Sequence, residues 1–542
     1  MSEPRTMTLS GAPEGLDASL VLRELETASR VCHVARDDKR MAAMAEALAF
    51  FAPHVPVLKF PGWDCLPYER VSPNVDISAE RMATLARLAC NAPGPFILLT
   101  TLNAATQRVP PRELVRTSSF AARAGEHVNE TALRQFLTRM GFVQTPAVAE
   151  PGDYAIRGGI IDIFPPGERD PVRLDLFGDV LEDVRRFDAA TQRTVAQLSA
   201  VELSPVSEII LDEASISRFR QGYRLEFGAG GASDPLYEAV SSGRRHSGIE
   251  HWLPFFHERL ETLFEYLPDA TIMLDDRIRA VHQARWEAVN IQYEARLEAR
   301  PVVSEMDSVY KPMPPELLYL DDAAWEAATN GRRLLQLAVS PQAAGPGSLD
   351  AGGRIGRDFA PERRQESTSL LETVADHIRS RARSGQVVIA SYSEGARQRL
   401  LGLIADHEIL GAALISNFGD VPEGKGRVFL AVWALQHGFE SGEGLTVVSE
   451  QDIFGDRLTR QPRKRRRADN FLAEARSLSP EDLIVHVEHG VGRYKGLAVV
   501  EALGAPHECI HLEYAGGDKL YLPVENIELL SRYGHDEAQL DR

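Results

Sequence analysis

The segment from Leu483 to Tyr533 is the part of this chain whose fold its sequence constrains most. Apolar residues alternate with polar ones along short stretches separated by glycines, a period of two that is typical of half-buried β-strands. The alternating positions are Leu483, Val485 and Val487, then Ile510, Leu512 and Tyr514, then Leu520 and Leu522. A module of this size has little room for a catalytic cleft, but it can offer a sheet edge or face to a partner. We therefore predict a small all-β docking module.

Composition limits the number of domains in the chain and the kinds of partner and site it can have. Its 542 residues suffice for about three to five domains of ~100–200 residues each. A net charge of −18 repels nucleic acid overall, so DNA contact would need a local basic patch. Cys32, Cys65, Cys90 and Cys509 lie far apart without a CxxC pair, which argues against a zinc site or a disulfide framework. With no membrane-length apolar run and no signal-peptide pattern, we expect a cytoplasmic location.

The pattern along the chain changes twice. Helix and strand patterns alternate over residues 17–120, which predicts a parallel sheet covered by helices, with Ser78 as the N-cap of one helix. Residues 150–188 are dense in strand and turn signals and indicate a β-rich insert. The Gly-rich stretch 343–365 is interpreted as a linker or mobile loop, and a second α/β pattern follows it. The predicted fold class is multidomain α/β plus β.

Two segments are partly similar to a phosphate-binding loop. Residues 419–426 read GDVPEGKG, which lacks the Ser or Thr that holds Mg²⁺ and precedes a strand instead of a helix. Residues 10–15 read SGAPEG and precede a helix, but they lack the GK[ST] ending, and Glu14 would repel a phosphate. We therefore predict no ATPase and no bound nucleotide in this chain.

Two histidines, His251 and His257, flank an aromatic stretch. Histidine is a common metal ligand, so a metal site is one interpretation of the pair. The i, i+6 spacing and the lack of further ligand residues favour ordinary histidines. We predict no metal site and no catalytic residues.

The β-rich insert carries a candidate recognition face. Arg173, Asp175 and Phe177 fall on alternate positions and therefore share one face of a strand, while Arg157 precedes a neighbouring strand pattern. Arginine and aromatic residues are enriched at interface hot spots. The alternative from periodicity alone is a core phenylalanine with two surface arginines.

Several segments resemble one known family. HVEHGVGRYKGL and DKLYLPVENIELLSRY resemble the RNA-polymerase-interacting domain of the transcription-repair coupling factors, which CarD-type regulators share. FPGWDCLPYERVSPNVDISAERMATLARL (60–88) and GFVQTPAVAEPGDYAIRGGIIDIFPPGERDPVRLDLFGDVLEDVRRFDAATQRT (141–194) resemble the UvrB-homology module of that family, and LTVVSEQDIFGDRL (445–458) resembles the boundary before its linker. UvrB has no such terminal module and CarD-type regulators have no UvrB-like module, so the combination points to the coupling factors.

The resemblance implies partners and site residues. It implies that the insert binds UvrA through Arg157, Arg173 and Phe177. It implies that the terminal module binds the RNA polymerase β subunit along one strand, with Val500 at the apolar contact and Gly492, Arg493 and Tyr494 shaping the turn before it. The implied strand residues are Lys495, Gly496, Leu497, Ala498, Val499 and Val500.

The same resemblance divides the chain into domains. The predicted domains are UvrB-like domain 1a with a degenerate phosphate loop (1–126), the β-rich UvrA-binding domain 2 (127–205), UvrB-like domain 1b (206–341), a small α/β domain 3 (342–456), a basic linker (457–471) and a CarD-like domain predicted to be an SH3/Tudor-like barrel (472–542). The linker is a candidate DNA contact or a solvated tether, and its basic residues include Arg463, Lys464, Arg465, Arg466 and Arg467.

The family's ATP- and Mg²⁺-dependent translocase motor does not appear before the chain ends at Arg542. We therefore expect neither translocation nor ATP turnover, and we expect a UvrA-binding surface open without an activating event. Two alternatives remain. One is a stand-alone CarD-type regulator that binds RNA polymerase, and the other is an ATP-dependent enzyme similar to UvrB.

Overall fold

A computed structural model of the protein describes most of the chain. The residues described are 6–228, 234–298, 310–343, 345, 347–364, 369–407, 409, 411–422, 424–455, 483–486, 490–502, 505–514, 518–523 and 530–532. By their contacts the residues group into two compact units, Met1–Arg457 and Leu458–Arg542.

The first unit begins with alternating strands and helices and continues into the β-rich insert. The elements up to residue 126 are β1 (Thr6–Ser10), α1 (Leu16–Thr27), β2 (Arg30–Ala35), α2 (Asp38–Phe51), β3 (Val57–Phe60), α3 (Val75–Ala89), β4 (Phe96–Thr101), α4 (Leu102–Ala105), α5 (Arg112–Thr117) and β5 (Phe120–Arg123). The insert holds α6 (Glu130–Arg139), β6 (Val143–Gln144), β7 (Asp153–Arg157), β8 (Ile160–Ile163), β9 (Val172–Phe177), β10 (Val180–Phe187), β11 (Thr194–Leu198) and β12 (Ala200–Leu203).

The remaining elements complete the first unit and form the second. In the first unit they are α7 (Glu213–Phe227), α8 (Pro235–Ser241), β13 (Thr271–Leu274), α9 (Ile278–Glu298), α10 (Asp322–Thr329), β14 (Leu334–Leu337), β15 (Ser348–Asp350), β16 (Arg354–Ile355), α11 (Ala360–Arg363), α12 (Leu370–Ser384), β17 (Gln386–Ser391), α13 (Glu394–Asp406), β18 (Ala413–Ile415), β19 (Arg427–Val432), β20 (Phe439–Glu440), β21 (Leu445–Ser449) and α14 (Glu450–Phe454). The second unit holds β22 (Leu483–His486), β23 (Gly490–Ala502), β24 (Ala505–Glu513), β25 (Lys519–Pro523) and β26 (Leu530–Arg532).

A parallel sheet forms the centre of the first unit, as the helix and strand alternation predicts. Its seven strands lie in the order β15-β1-β14-β13-β2-β4-β3 among the described residues, and each pair is parallel. Strands β2 and β4 are buried along nearly their whole length, because helices cover both faces of a sheet of this kind.

The insert is a mostly antiparallel sheet backed by one helix. Its order is β11-β10-β9-β8-β7-β6, with parallel pairing only between β6 and β7. Helix α6 turns Leu133, Phe136 and Leu137 into the core of the insert. The face of the sheet that packs on α6 is therefore covered, whereas the opposite face is exposed only in part, since Asp162 and Phe187 on it are buried.

The second α/β pattern also forms a sheet, and its core is continuous with the first. Parallel strands β21, β17, β19 and β18 lie side by side, with the short antiparallel β20 and β16 at one edge. Phe50 of α2 stacks on Trp433 at 4.6 Å, and Phe51 contacts Phe418 at 5.2 Å between ring centroids. Apolar residues of both sheets thus share one cluster. The domain boundaries within this unit stay predictions.

Two sequence-based expectations differ from the structure. Helix α3 begins at Val75, because the Asn74 side chain accepts the N–H of Asp76 at 2.9 Å, and Ser78 already lies inside the helix. The stretch predicted as a linker or mobile loop, 343–365, contributes β15 and β16, one strand to an edge of each large sheet. Backbone pairing, which composition does not reveal, orders these described residues.

The second unit is an antiparallel sheet in the order β25-β24-β23-β22-β26. Ile510, Leu512 and Tyr514 are buried, as their alternation predicts. The all-β character is confirmed at the level of the strands, whereas closure into a barrel stays a prediction.

Candidate protein-binding surfaces

The insert sheet has one apolar face and one charged face. Its apolar face lies in the core of the insert and is formed by Tyr154, Ile161, Ile163, Val172, Leu174, Leu181 and Val184. The alternate residues of the same strands point the other way. The charged face carries the predicted site residues.

Strand register brings the three predicted UvrA-contact residues onto that charged face. Arg157 of β7 lies opposite Ile160 of β8, Ile160 lies opposite Asp175 of β9, and Phe177 follows Asp175 by two residues. Phe177 is 75% exposed, so the alternative of a core phenylalanine is wrong. Arg157 is exposed, and its guanidinium donates to the carbonyl of Pro146 at 2.6 Å. The shared face follows from the geometry, and the role of these residues stays a prediction.

Arg173 is held differently from Arg157. It donates from Nε and Nη2 to the two carboxylate oxygens of Asp162, at 2.7 and 2.9 Å, and from Nη2 to Gln192 at 3.0 Å. Its guanidinium lies 4.5 Å from the ring centroid of Phe187. The Arg173 side chain is 20% exposed and Asp162 is 2% exposed. A bidentate pair of this kind fixes the arginine geometrically.

A second ion cluster completes the face. Arg185 of β10 pairs with Asp175 and, through Nε at 3.2 Å, with Asp183. The charges of these strands therefore compensate one another locally. Arg157 differs, since no carboxylate pairs with it among the residues that the structure describes.

A buried ion pair joins α3 to the segment that directly follows the insert. Arg81 of α3 donates to Glu208 at 2.6 and 3.3 Å, and the two side chains are 0% and 2% exposed. Trp63 Nε1 donates to the same carboxylate at 3.1 Å, and the Arg81 guanidinium lies 4.1 Å from the Phe60 ring centroid. Sequence reasoning missed this pair, because the two residues are 127 positions apart.

The predicted polymerase-contact strand lies in β23. The expected turn before this strand is wrong, because Gly492, Arg493 and Tyr494 all belong to β23 itself. Opposite β24, Tyr494 pairs with Leu512 and Gly496 with His511, so Lys495 is the extra residue of a bulge, and Gly496 adopts a φ of +124°. Lys495 Nζ reaches the Glu513 carboxylate at 3.3 Å.

Among the residues that the structure describes, the distal half of β23 is paired along one edge only. Strand β22 pairs with residues 490–493 only, whereas residues 496–502 pair with β24 on one side. No strand occupies the other side of residues 496–502 among the described parts of the chain. Val500 lies in this half, with its backbone opposite His507. An unpaired edge of this kind is a template for an added strand.

The loop between β1 and α1 occupies the position of a phosphate-binding loop. Its backbone N–H groups, however, form hydrogen bonds within the protein. The N–H groups of Gly11 and Ala12 donate to the carbonyls of Ser340 and Ala338 at 3.5 and 3.0 Å. The N–H of Gly15 donates to the Asp17 carboxylate at 3.0 Å. The backbone donors that would cradle a phosphate are therefore engaged within the protein.

Carboxylates surround the same loop. Asp17 pairs with Arg40, and Glu14 pairs with Arg36. Burial raises the pKa of Asp17 to about 6, and the nearby Arg40 opposes that shift. Asp275 contacts both arginines as well, so three carboxylates face two cations, and this balance is unfavourable for a nucleotide phosphate.

Close packing at this loop yields a stability prediction. A Cβ added at Gly353 would lie 2.2 Å from Leu16 Cδ2 and 2.5 Å from the Gly11 carbonyl oxygen. We expect Gly353→Ala to destabilise the first unit by about 1–3 kcal/mol, the usual cost of overpacking. Thermal unfolding measures the loss. Gly402→Ala is the matched control, since Gly402 lies inside α13 with no atom within 4 Å of the added Cβ, and it should be neutral or stabilising.

The other candidate segments lie as follows. Residues 419–426 precede β19, as expected from the sequence. His251 and His257 are buried, and burial lowers the pKa of each to about 4. No group of three or more metal-ligating side chains occurs among the residues described.

No helix in the described ranges is long and apolar enough to cross a membrane. The basic residues 463–467 lie outside the described residues.

Two family models match the chain at the surfaces described above. Residues 120–209 match the UvrB interaction domain, and residues 478–534 match the CarD-like/TRCF RID domain. The first match contains the charged face of the insert, and the second contains β23. The chain thus combines a UvrB-type interaction domain with a domain of the CarD and coupling-factor type.

Longer proteins are similar to this chain over most of its length. The transcription-repair-coupling factor of Escherichia coli is 32% identical over 488 residues, that of Myxococcus xanthus 30% over 578 and that of Haemophilus influenzae 29% over 535. These matches cover 88%, 99% and 97% of the chain and 41%, 46% and 45% of the relatives. The chain spans less than half the length of the relatives it matches. Since the similarity is not confined to the terminal module, it favours the coupling factors over stand-alone CarD-type regulators.

Proposed function

We propose that the chain is the non-motor part of a transcription-coupled DNA repair factor, which bridges the β subunit of RNA polymerase to UvrA. The observation that carries the proposal is the presence of two binding surfaces in one chain, each within a matched interaction domain. In a bridging protein the two surfaces act together, whereas a stand-alone regulator would need only the terminal module.

The charged face of the insert supports the UvrA half of the proposal. Exposed aromatic and arginine side chains are typical interface anchors, and this face carries both in Phe177 and in Arg157, which has no carboxylate partner among the described residues. Because Phe177 is largely exposed, its side chain contributes little burial energy to the fold. Contact with a partner would bury it and so explain its position.

The open edge of β23 supports the polymerase half. Strand addition to residues 496–502 would supply main-chain hydrogen bonds, and side chains at alternate positions would supply selectivity. An SH3/Tudor-like closure of this module is part of the same proposal.

The chain's own contacts at the β1–α1 loop support a non-enzymatic role. We expect no nucleotide binding there, since the amides of Gly11, Ala12 and Gly15 already donate within the protein. Titration of the chain with labelled ATP and Mg²⁺ tests this, and saturable binding would favour the UvrB-like enzyme instead. A DNA contact through residues 463–467 is a further element, tested by a salt-dependent DNA affinity that neutral substitutions remove.

A sequential capture experiment tests the bridge. RNA polymerase is immobilised, the chain is added, and UvrA is added last, with binding followed by interferometry. We expect UvrA to be captured only when the chain is present. Capture of UvrA by polymerase alone, or loss of polymerase from the surface when UvrA binds, would contradict the proposal.

A charge at the open edge should remove the polymerase half selectively. Val500→Arg places a charge at the expected apolar contact, and we expect polymerase affinity to fall at least about tenfold, since a buried unpaired charge is costly. UvrA affinity should stay unchanged. Leu225→Arg is the control, because Leu225 is 79% exposed on α7 and the same change there should have no effect. Unchanged polymerase affinity of the Val500 variant would place the contact elsewhere.

A further inference from the structure

Ile160 lies at the centre of the open part of the charged face. It faces Arg157 across β7 and β8, and Asp175 across β8 and β9. Phe177 is its diagonal neighbour on the same face, a spacing of ~7–8 Å that aromatic side chains can cross. Ile160 is 37% exposed, whereas its strand neighbours Ile161 and Ile163 are fully buried.

The tip of the β7–β8 hairpin, next to Ile160, packs tightly against β9. A Cβ added at Gly159 would lie 2.4 Å from the carbonyl oxygen of Leu176, and the N–H of Leu176 donates to the Gly159 carbonyl at 2.8 Å. Gly158 has a φ of +62°. These glycines hold the β7–β8 tip against β9, so Arg157, Ile160 and Phe177 form one tip surface.

Arg173 lies one row further from the tips. Arg173 donates two hydrogen bonds to Asp162 and one to Gln192. Its guanidinium also packs against the ring of Phe187. Removal of Arg173 would leave the buried Asp162 carboxylate without its cation. The contacts of Arg173 are therefore those of a residue that orders the strands.

We propose that the partner is contacted by the tip surface of Arg157, Ile160 and Phe177, and that Arg173 is a positioning residue without a direct contact. The partner would present an acidic group to Arg157 beside an apolar side chain that packs between Ile160 and Phe177. This inference rests on the proposed binding of UvrA. It adds Ile160 to the site and changes the role expected of Arg173.

The contribution of Ile160 is tested by calorimetry with UvrA. Ile160→Ser should weaken binding at least about tenfold, because it removes an apolar contact at the centre of the surface. Arg157→Gln should weaken it in the same direction, and its exposed side chain makes loss of the fold an inadequate explanation. Leu225→Ser is the matched control on α7 and should bind as the unsubstituted chain does.

The role of Arg173 is tested by a paired substitution. Arg173→Gln alone should weaken UvrA binding and lower the melting temperature. The double variant Arg173→Gln with Asp162→Asn replaces the ion pair by a neutral amide pair, and we expect it to restore affinity to within about threefold of the unsubstituted chain. If the double variant regains stability but not affinity, Arg173 contacts the partner directly and the inference is wrong.

The outcomes separate this inference from the proposed function. No UvrA binding by the unsubstituted chain would contradict the proposed function itself. Binding that is lost with Phe177→Ala but unchanged with Ile160→Ser would leave the proposed function in place and overturn the central role of Ile160.

Discussion

Replacement of Arg81 by alanine is expected to lower the free energy of unfolding of the first unit by about 3–5 kcal/mol, the usual cost of breaking a buried ion pair. Arg81 and Glu208 are 0% and 2% exposed, so the remaining carboxylate would be buried without its cation. The variant also loses the contact between the guanidinium and the Phe60 ring. Urea unfolding followed by tryptophan fluorescence measures the effect, since Trp63 donates to the same carboxylate.

Two further variants identify the cause of that loss. Arg134→Ala removes an exposed pair with Glu130 inside α6 and should cost less than about 1 kcal/mol. The apolar pair Arg81→Met with Glu208→Leu should recover much of the stability, because no unpaired charge remains. A loss below about 1 kcal/mol in the single Arg81 variant would mean that Glu208 finds another partner or water.

Replacement of Phe177 by alanine is expected to weaken UvrA binding by about 30-fold, the effect of a hot-spot residue worth about 2 kcal/mol. The stability of the free chain should change by no more than about 0.5 kcal/mol, because the side chain is 75% exposed at the end of β9. Calorimetry with UvrA and thermal unfolding of the free variant provide the two measurements.

Phe177 is a cleaner probe of this surface than Arg173. Arg173→Ala removes the partner of Asp162, so a loss of binding could reflect a disturbed sheet. Polymerase capture by the Phe177 variant serves as the control and should be unaffected. Retained UvrA affinity together with normal stability would show that the partner binds elsewhere on the chain.

Local sequence signals are sufficient for elements whose ends are set by residues next to them in the chain. Helix α2 occupies residues 38–51, a stretch rich in Ala and Met, and the Asp37 side chain caps it by accepting the N–H of Arg40. Strand β21 likewise occupies residues 445–449, a short run rich in β-branched residues. The start of α3 was misplaced because Asn74 and Ser78 are both good N-cap residues, and only the folded backbone brings one of them to the first turn.

The candidate site was predictable in part. Alternation along β9 was enough to place Arg173, Asp175 and Phe177 on one face. Ile160 and Asp162 are likewise two residues apart and share a face of β8, although the apolar run around them shows no alternation. Which residues of β7 and β9 they oppose depends on strand register, and periodicity within a single strand carries no information about it.

The sequence alone indicated the α/β or β character of the segments outside 343–365, the two interaction domains and the missing GK[ST] ending, because these depend on local periodicity, turn residues and short motifs. Tertiary structure decided that Phe177 is exposed, that Asp162 engages Arg173, and that Arg81 meets Glu208 across 127 residues. It also decided that the amides of Gly11 and Ala12 in the β1–α1 loop donate to distant parts of the chain. These are long-range pairings, and they are set by how strands register and cores close, which no local pattern specifies.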